Sequence, residues 1–378
     1  MTGMFKLALK LLINDRAKFV ALIVGISFAV FLIMQLTSVF SGILTKASST
    51  IINVGSSIWV MDPSLENPLN TIPIPDYVLD AARSMEGVKY AVPLYSGIGL
   101  VKLQSGRYEP ATIIGLDDAS LVGRPEIFEG RIEDIYSDNA FIVVKDTEYQ
   151  KLGSPGIGTT FEINDHRAVI TGIAKVPVST FYGVPTLYTT YSRAVEYLPN
   201  PRFTIGYVLV EPKSEADIPG ILDGIAKLGY LALTREKFEK KVANYFETQT
   251  GLGTNILIMT VIGFLVGLSI CGQTFHTFVI ENLDKFGALK AIGMRNSHLV
   301  LMILFQVSFA AITGFGLGVG ISSLQIALAT RFVPNYDALI GFWNLGLAFG
   351  AVIVITGVSS LLAVRKVIRV QPFDIFRG

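Results

Sequence analysis

The sequence predicts an α-helical membrane protein with four transmembrane helices and a large α/β extracytoplasmic domain inserted between helices 1 and 2. Three observations carry this reading. Four apolar runs are each long enough to cross a bilayer, whose roughly 30 Å core takes about 20 helical residues. A block of mixed character, residues 45–250, separates the first run from the second. The basic residues outside that block gather on one side of the runs. Composition agrees: mean hydropathy is +0.53, and 51% hydrophobic residues stand against 16% charged ones, too apolar for an ordinary soluble chain. The single cysteine, Cys271, excludes an internal disulfide and a cysteine zinc cluster.

The spans are expected at 19–44, 251–280, 297–330 and 345–364. The first, FVALIVGISFAVFLIMQLTSVFSGIL, carries no charge. It is too long for a cleavable signal sequence and no small-residue cleavage motif precedes the block. Lys6, Lys10, Arg16 and Lys18 precede it; Lys285, Lys290 and Arg295 lie between spans two and three; Arg365, Lys366, Arg369 and Arg377 follow span four. Of the 12 Lys and Arg outside 46–250, 11 fall on this side, Arg331 in the short outer loop 331–344 being the exception. The positive-inside rule makes that side cytoplasmic. Both termini are then inside. The block faces outward, its 19 basic against 25 acidic residues giving −6.

Within the block, IPDYVLDAARSMEG spaces Tyr77, Val78, Ala81 and Met85 as one face of a short helix, with Asp76 at its start and Gly87 as a stop. VKYAVPLYSGIGLVKLQSGRYEPATIIGLD alternates as strands, with Ser105-Gly106 a hairpin turn. AFIVVKD and HRAVITGIA read as further strands. TIGYVLVEP, SEADIPGILDGIAKLG and YLALT read as strand, helix, strand. From 235 to 250, REKFEKKVANYFETQT places Phe238, Val242, Tyr245 and Phe246 at helical spacing, a stalk running toward span two.

The stretch DKFGALKAIGMRN joins spans two and three on the basic side. Glu281 and Lys285 form a favourable i,i+4 pair. Ala288, Leu289, Lys290 and Ala291 are strong helix formers. Gly293 suits a helix C-terminus, and Asn296 or Ser297 the next N-cap. A short helix at the inner membrane face follows, spanning 281–296, with Phe286 and Leu289 as apolar knobs and Lys285, Lys290 and Arg295 as charges. Topology alone leaves two occupants for this surface, anionic lipid or a protein partner.

A glutamate, a basic residue and a GALKAIG-like core directly after the second of four spans resemble the FtsX/MacB-type permeases of ABC transporters. So do the basic amphipathic start MFKLALKLLINDRAKF (an elbow helix over 1–18), the segment EIFEGRIEDIYSDNAFIVVKDTEYQKLG, and the tail RKVIRVQPFDIFRG within 365–378. The resemblance covers essentially the whole chain and is strongest to short DevC-type and haem-exporter permeases without a fused ATPase. It implies a MacB-like periplasmic core domain and a non-catalytic permease subunit of an ATP-driven exporter in the bacterial inner membrane. The segment holding Glu281, Lys285, Phe286, Leu289, Lys290, Gly293 and Arg295 would be the coupling helix that seats in the ATPase. Implied partners are an ABC ATPase dimer, a second copy of the permease, the lipid membrane, a membrane-fusion adaptor and an outer-membrane channel, with no nucleic acid. No cofactor is expected, ATP being bound by the partner subunit. Two rival readings within the resemblance are an FtsX-like transducer that activates a cell-wall hydrolase and a lipoprotein-releasing permease.

Other motifs reduce to structure. GSPGIGTT has Walker A spacing, but Thr159 replaces the lysine. GFGLGVG lies inside span three, where glycines let helices pack closely. His166, His276 and His298 show no ligand spacing, and no catalytic constellation is found. Polar residues in the spans are costly. Thr274 and Gln306 are among them; Gln273 and His276, near the inner interface, read as wetted or packed. Gln35 and Met34 sit among Phe31 and Phe40 in the outer half of span one. These four, with Tyr245, are candidate contacts for an amphipathic substrate; the simpler reading, an interhelical hydrogen bond with core packing, is preferred.

Overall fold

The computed structural model describes residues 2–66, 71–179, 183–198, 205–333 and 336–369. Its helices are α1 (Thr2–Asn14), α2 (Arg16–Ala47), α3 (Ser49–Val54), α4 (Tyr77–Ser84), α5 (Tyr191–Tyr197), α6 (Ile218–Lys227), α7 (Arg235–Thr248), α8 (Leu252–Glu281), α9 (Leu283–Ala291), α10 (Asn296–Phe332) and α11 (Phe342–Arg369). The strands are β1 (Ile58–Met61), β2 (Val88–Lys102), β3 (Tyr108–Leu116), β4 (Glu126–Gly130), β5 (Ala140–Val144), β6 (Thr160–Ile163), β7 (His166–Lys175), β8 (Thr186–Thr190), β9 (Tyr207–Pro212) and β10 (Leu231–Thr234). Two units emerge, Met1–Gly42 with Gly253–Gly378, and Ile43–Leu252.

In the second unit the strands run β10-β1-β9-β2-β3-β8-β5-β7-β4, and β6 pairs with both β2 and β7. That double pairing closes β2-β3-β8-β5-β7-β6 into a ring. Each of its six strands sends a side chain into one core: Val101, Ile113, Leu187, Phe141, Ile170 and Phe161. The barrel is therefore filled rather than open. Leu103, Gly106 and Arg107 turn the β2–β3 hairpin, with Gly106 at φ +82° and Leu103 N–H donating to the Arg107 carbonyl at 2.8 Å.

The other half is a layered α/β lobe. β1 lies between β9 and β10 and pairs antiparallel with both, so β9-α6-β10 is a strand–helix–strand unit with a foreign strand in its middle. Side chains alternate across a strand. Ile58 and Val60 thus meet α4 and α6 through Val78, Leu79, Ala82, Ile221 and Ile225, while Trp59 and Met61 meet α3 and α7 through Ile51, Val54, Phe238, Val242 and Phe246. Helix α4 buries Val78, Leu79 and Ala82 rather than the expected face led by Tyr77, which is exposed. The slip arises because both Val78 and Leu79 fit under the sheet, and the phenol stays where its hydroxyl meets that of Tyr230 at 3.0 Å. Helix α7 lies against the sheet: Phe238 packs its ring 5.6 Å from Trp59. It ends at Thr248, and Gly251 at φ +74° interrupts the helical backbone before α8.

In the first unit α2, α8, α10 and α11 are each long and apolar enough to cross a membrane. Glycines set their packing. A Cβ on Gly263 or Gly267 of α8 would meet Leu32 at 3.2 Å or Ala29 at 2.3 Å. One on Gly314 or Gly318 of α10 would meet Ile26 at 2.7 Å or Val30 at 2.6 Å. Two glycine pairs, each spaced four apart, therefore grip successive turns of α2, since small residues let backbones approach. Gly316 and Gly320 of GFGLGVG meet nothing within 4 Å. At the far end of α2, Leu339 N–H donates to the Ser38 carbonyl at 2.8 Å, and Gly42 leaves room for the Asp337 backbone.

Candidate coupling site

Helix α9 is built to a short, fixed length. Asn282 precedes it and is buried, its Nδ2 donating to the Phe278 carbonyl at 2.8 Å and its Oδ1 accepting from Lys285 Nζ at 2.7 Å. At the other end Met294 N–H donates to Leu289 and Gly293 N–H to Lys290, with Gly293 at φ +103°. This pair of bonds is the Schellman arrangement, which satisfies the last carbonyls and needs a left-handed residue. Arg295, in extended conformation, is the N-cap of α10, in place of the expected Asn296 or Ser297. Those two have already entered the helix.

The apolar residues of α9 divide differently from the sequence expectation. Phe286 is 1% exposed and belongs to the core shared by α2, α8, α10 and α11; Leu289 and Met294 pack on that core. Phe286 is therefore an inward anchor, not a protruding knob, because the helix lies against the ends of its neighbouring spans. The exposed hydrophobe is Ile292, at 85%, lifted clear by the turn at Gly293. Sequence reading passed over it because it falls after the helix formers; the glycine beside it was the available signal.

The charges are also re-paired. Glu281 bonds Lys18 of α2 instead of Lys285. Lys18 also bonds Asp15 at 2.7 Å, and hydrogen bonding from Lys18 holds the Asp15 carboxyl below the usual carboxylate range. Lys290 Nζ donates to the Ile368 carbonyl, in the last turn of α11, at 3.1 Å. Arg295 and Ile292 close the exposed end of the helix. Nearby, α1 is fastened to α10 by Gln306, whose Nε2 donates to the Ala8 carbonyl at 2.8 Å, and by Phe5 ringed 4.8 Å from Phe305.

The expected substrate contacts are dispersed. Met34 is fully buried in the core of the four long helices, a consequence of the glycine grip on α2, and offers no free surface. Phe31 and Phe40 are half-buried. Gln35 donates to the hydroxyl of Tyr336, which lies in the segment between α10 and α11 and in turn donates to Gln325 Oε1 at 3.4 Å. Tyr245 belongs to the other unit, edge-on to Phe246 on α7 at 5.6 Å. Arg377 and the tail from 370 onward lie outside the described residues. No group of three or more His, Cys, Asp or Glu suited to a metal occurs among the described residues.

Residues 19–228, more than half of the chain, match the MacB-like periplasmic core domain family, and residues 257–372 match the FtsX-like permease C-terminal family. The chain belongs to the FtsX/MacB-type permeases. It carries four helices long and apolar enough to cross a membrane and a MacB-like periplasmic core domain. A Staphylococcus epidermidis protein named as a hemin transport system permease, HrtB, is 23% identical over 151 residues, 40% of this chain and 41% of that protein. Its Staphylococcus haemolyticus namesake is 22% identical over 223 residues, 59% of each chain. The matches thus span about two fifths to three fifths of these relatives. Among solved structures, the periplasmic region of MacB from Actinobacillus actinomycetemcomitans is similar at 11% identity and TM-score 0.39, over 51% of this chain and 95% of that one. The extracellular domain of the transporter YknZ from Gram-positive bacteria gives 15% identity and TM-score 0.37, over 47% and 98%.

Proposed function

We propose that this FtsX/MacB-type permease is the transmembrane subunit of an ATP-driven exporter for an amphipathic substrate. Two copies sit in the cytoplasmic membrane with both termini inside and work with a dimer of ATPase subunits, which alone bind and hydrolyse ATP. Closure of the ATPase dimer moves α9, and the long helices carry that motion to the outer domain. A lipid, glycolipid, haem, peptide or drug is the cargo class, and the hemin-transport names of the two relatives support an amphipathic one. An adaptor and an outer-membrane channel would complete the path.

The observation that carries this reading is the form of α9: nine residues, closed at its C-terminal end by the Schellman bonds, anchored inward by Phe286 and tied to α11 by Lys290. A loop that merely touched lipid has no need of such fixing. A piece that receives force does. Ile292 and Arg295 are its contacts with the ATPase, Phe286 and Leu289 its seat in the permease, and Lys285 and Lys290 set its orientation. An apolar residue at an interface centre can contribute about 2 kcal/mol, so Ile292→Asp should weaken capture of the tagged ATPase about 30-fold with membrane insertion unchanged. Capture that is unimpaired both by Ile292→Asp and by charge reversal at Arg295 would return α9 to a lipid-surface segment.

A further inference from the structure

A cavity in the outer unit has no part in the coupling scheme. It measures about 570 Å³ and lies on the outer wall of the barrel, where β3, β2 and β6 run side by side. Lys102 of β2 stands opposite Tyr108 of β3 on one side and opposite Glu162 of β6 on the other, so the three side chains form one rung on one face of the sheet. Val101, next along β2, belongs to the barrel core, which puts that rung on the outside. Asn164 ties the far wall to this rung. Its Oδ1 accepts from the Leu100 amide at 3.1 Å, and its Nδ2 donates to the Tyr197 carbonyl of α5 at 2.9 Å. Asn164 and Asp165 both take left-handed backbone, φ +46° and +67°, the pair that a tight hairpin turn between β6 and β7 requires.

The lining combines ring faces with negative charge. Tyr108 is exposed, and the buried Tyr197 has its hydroxyl bonded to Asn139 Oδ1 at 2.7 Å and its ring 4.9 Å from that of His166. Glu162 is matched by Lys102 at 2.7 Å. Asp165 and Glu196 also line the cavity; both are exposed, and neither forms an ion pair among the described residues. They leave negative charge uncompensated beside the rings. Lys102 registers it: the lysine holds its proton more tightly than usual, first through its hydrogen bond to Glu162 and in part through the charge of Asp165. The carboxylates and His166 do not form a group suited to a metal ion among the described residues. The complementary ligand is a positive charge carried on an organic body, which meets ring faces as well as carboxylates.

We propose that this cavity binds a small organic ammonium ion with an aromatic or alkyl body. Asp165 and Glu196 take the ammonium, and Tyr108 with the exposed Leu100 takes the body. The volume falls within the range of small-molecule sites, about 300–1,000 Å³. The excess of acidic over basic residues in the block 45–250 raises the local concentration of such cations. None of these residues belongs to α9 or its seat, so the site stands or falls without the coupling scheme.

The test uses the full chain in nanodiscs with phenethylammonium as the probe. Phenylacetate, a similar aromatic body with the opposite charge, is the control, and saturation-transfer NMR reads binding against empty nanodiscs. Phenethylammonium should bind, and phenylacetate should bind about tenfold more weakly or not at all. Asp165→Asn combined with Glu196→Gln should weaken the amine about tenfold; asparagine suits the left-handed backbone at 165, so the turn is kept. Raising salt from about 0.05 M to about 0.5 M should weaken binding to the wild type and leave the double variant nearly unchanged. Tyr108→Leu should weaken the amine several-fold with the charges intact. Equal binding of the two probes would overturn the site, and so would a double variant that binds the amine as well as the wild type does. A signal no stronger than that of empty nanodiscs would assign the binding to lipid and overturn it too.

Discussion

Gln306, buried on α10, donates its amide to the carbonyl of Ala8 on α1 at 2.8 Å. The two residues are 298 positions apart, and the bond fixes the amphipathic first helix to a membrane-spanning one. Ala8 O can also serve its own helix, so the bond is an attachment rather than a structural necessity of α1. Gln306→Ala removes it and opens a cavity, and should cost about 2–3 kcal/mol. Hydrogen exchange across 2–14 should accelerate, while exchange in the outer unit stays as it was.

The glycine grip on α2 makes a sharper prediction. A methyl on Gly267 collides with Ala29, and overpacking typically costs about 1–3 kcal/mol. Gly267→Ala should lower the thermal midpoint in detergent, and Ala29→Gly in the same chain should restore most of it. Gly320→Ala, with open space around it, should leave the midpoint unchanged. Equal losses at both glycines would mean that helix flexibility, not close approach, explains them.

Phe286 and Ile292 should separate when mutated. Phe286→Ala empties a core site, with an expected loss of about 3–5 kcal/mol, visible as reduced extraction of folded protein. Ile292→Asp should extract and fold normally and lose only ATPase capture. The measurement is size-exclusion yield set against co-purified ATPase for each variant.

Orientation is checked by cysteine labelling after replacing Cys271. Ala119, exposed in the outer unit, should react as cysteine with an impermeant maleimide added to intact spheroplasts. Ile292 as cysteine should react only after permeabilisation. The reverse pattern would place the outer domain inside.

Stability should also follow a buried acid, Asp146. Burial raises the Asp146 carboxyl above its usual range, so the folded state binds that proton at higher pH than the unfolded chain does. Stability from this group is therefore present at acid pH and falls as pH rises through the window above the ordinary aspartate value. Asp146→Asn should flatten that fall and raise the thermal midpoint at pH 7. The check is a thermal melt of both proteins from pH 5 to pH 8.

Sequence alone determined the four apolar spans, the inserted α/β block and the position of the short basic helix. Each rests on a local property: run length against bilayer thickness, strand alternation, and helix formers ended by Gly293. Strand β1 escaped that reading because it is buried on both faces, and IWVM shows no alternation. Closure of the barrel escaped it because β6 pairs with β2 across about 60 residues, a contact no local pattern encodes. The same limit decided the site. Periodicity marked Phe286 and Leu289 as apolar, but whether an apolar residue faces a partner or its own core depends on which helices surround it. Glu281 likewise had a good local partner in Lys285 and took the distant Lys18, because tertiary packing brought that lysine closer. Only the assembled helices decided that Phe286 points in and Ile292 points out.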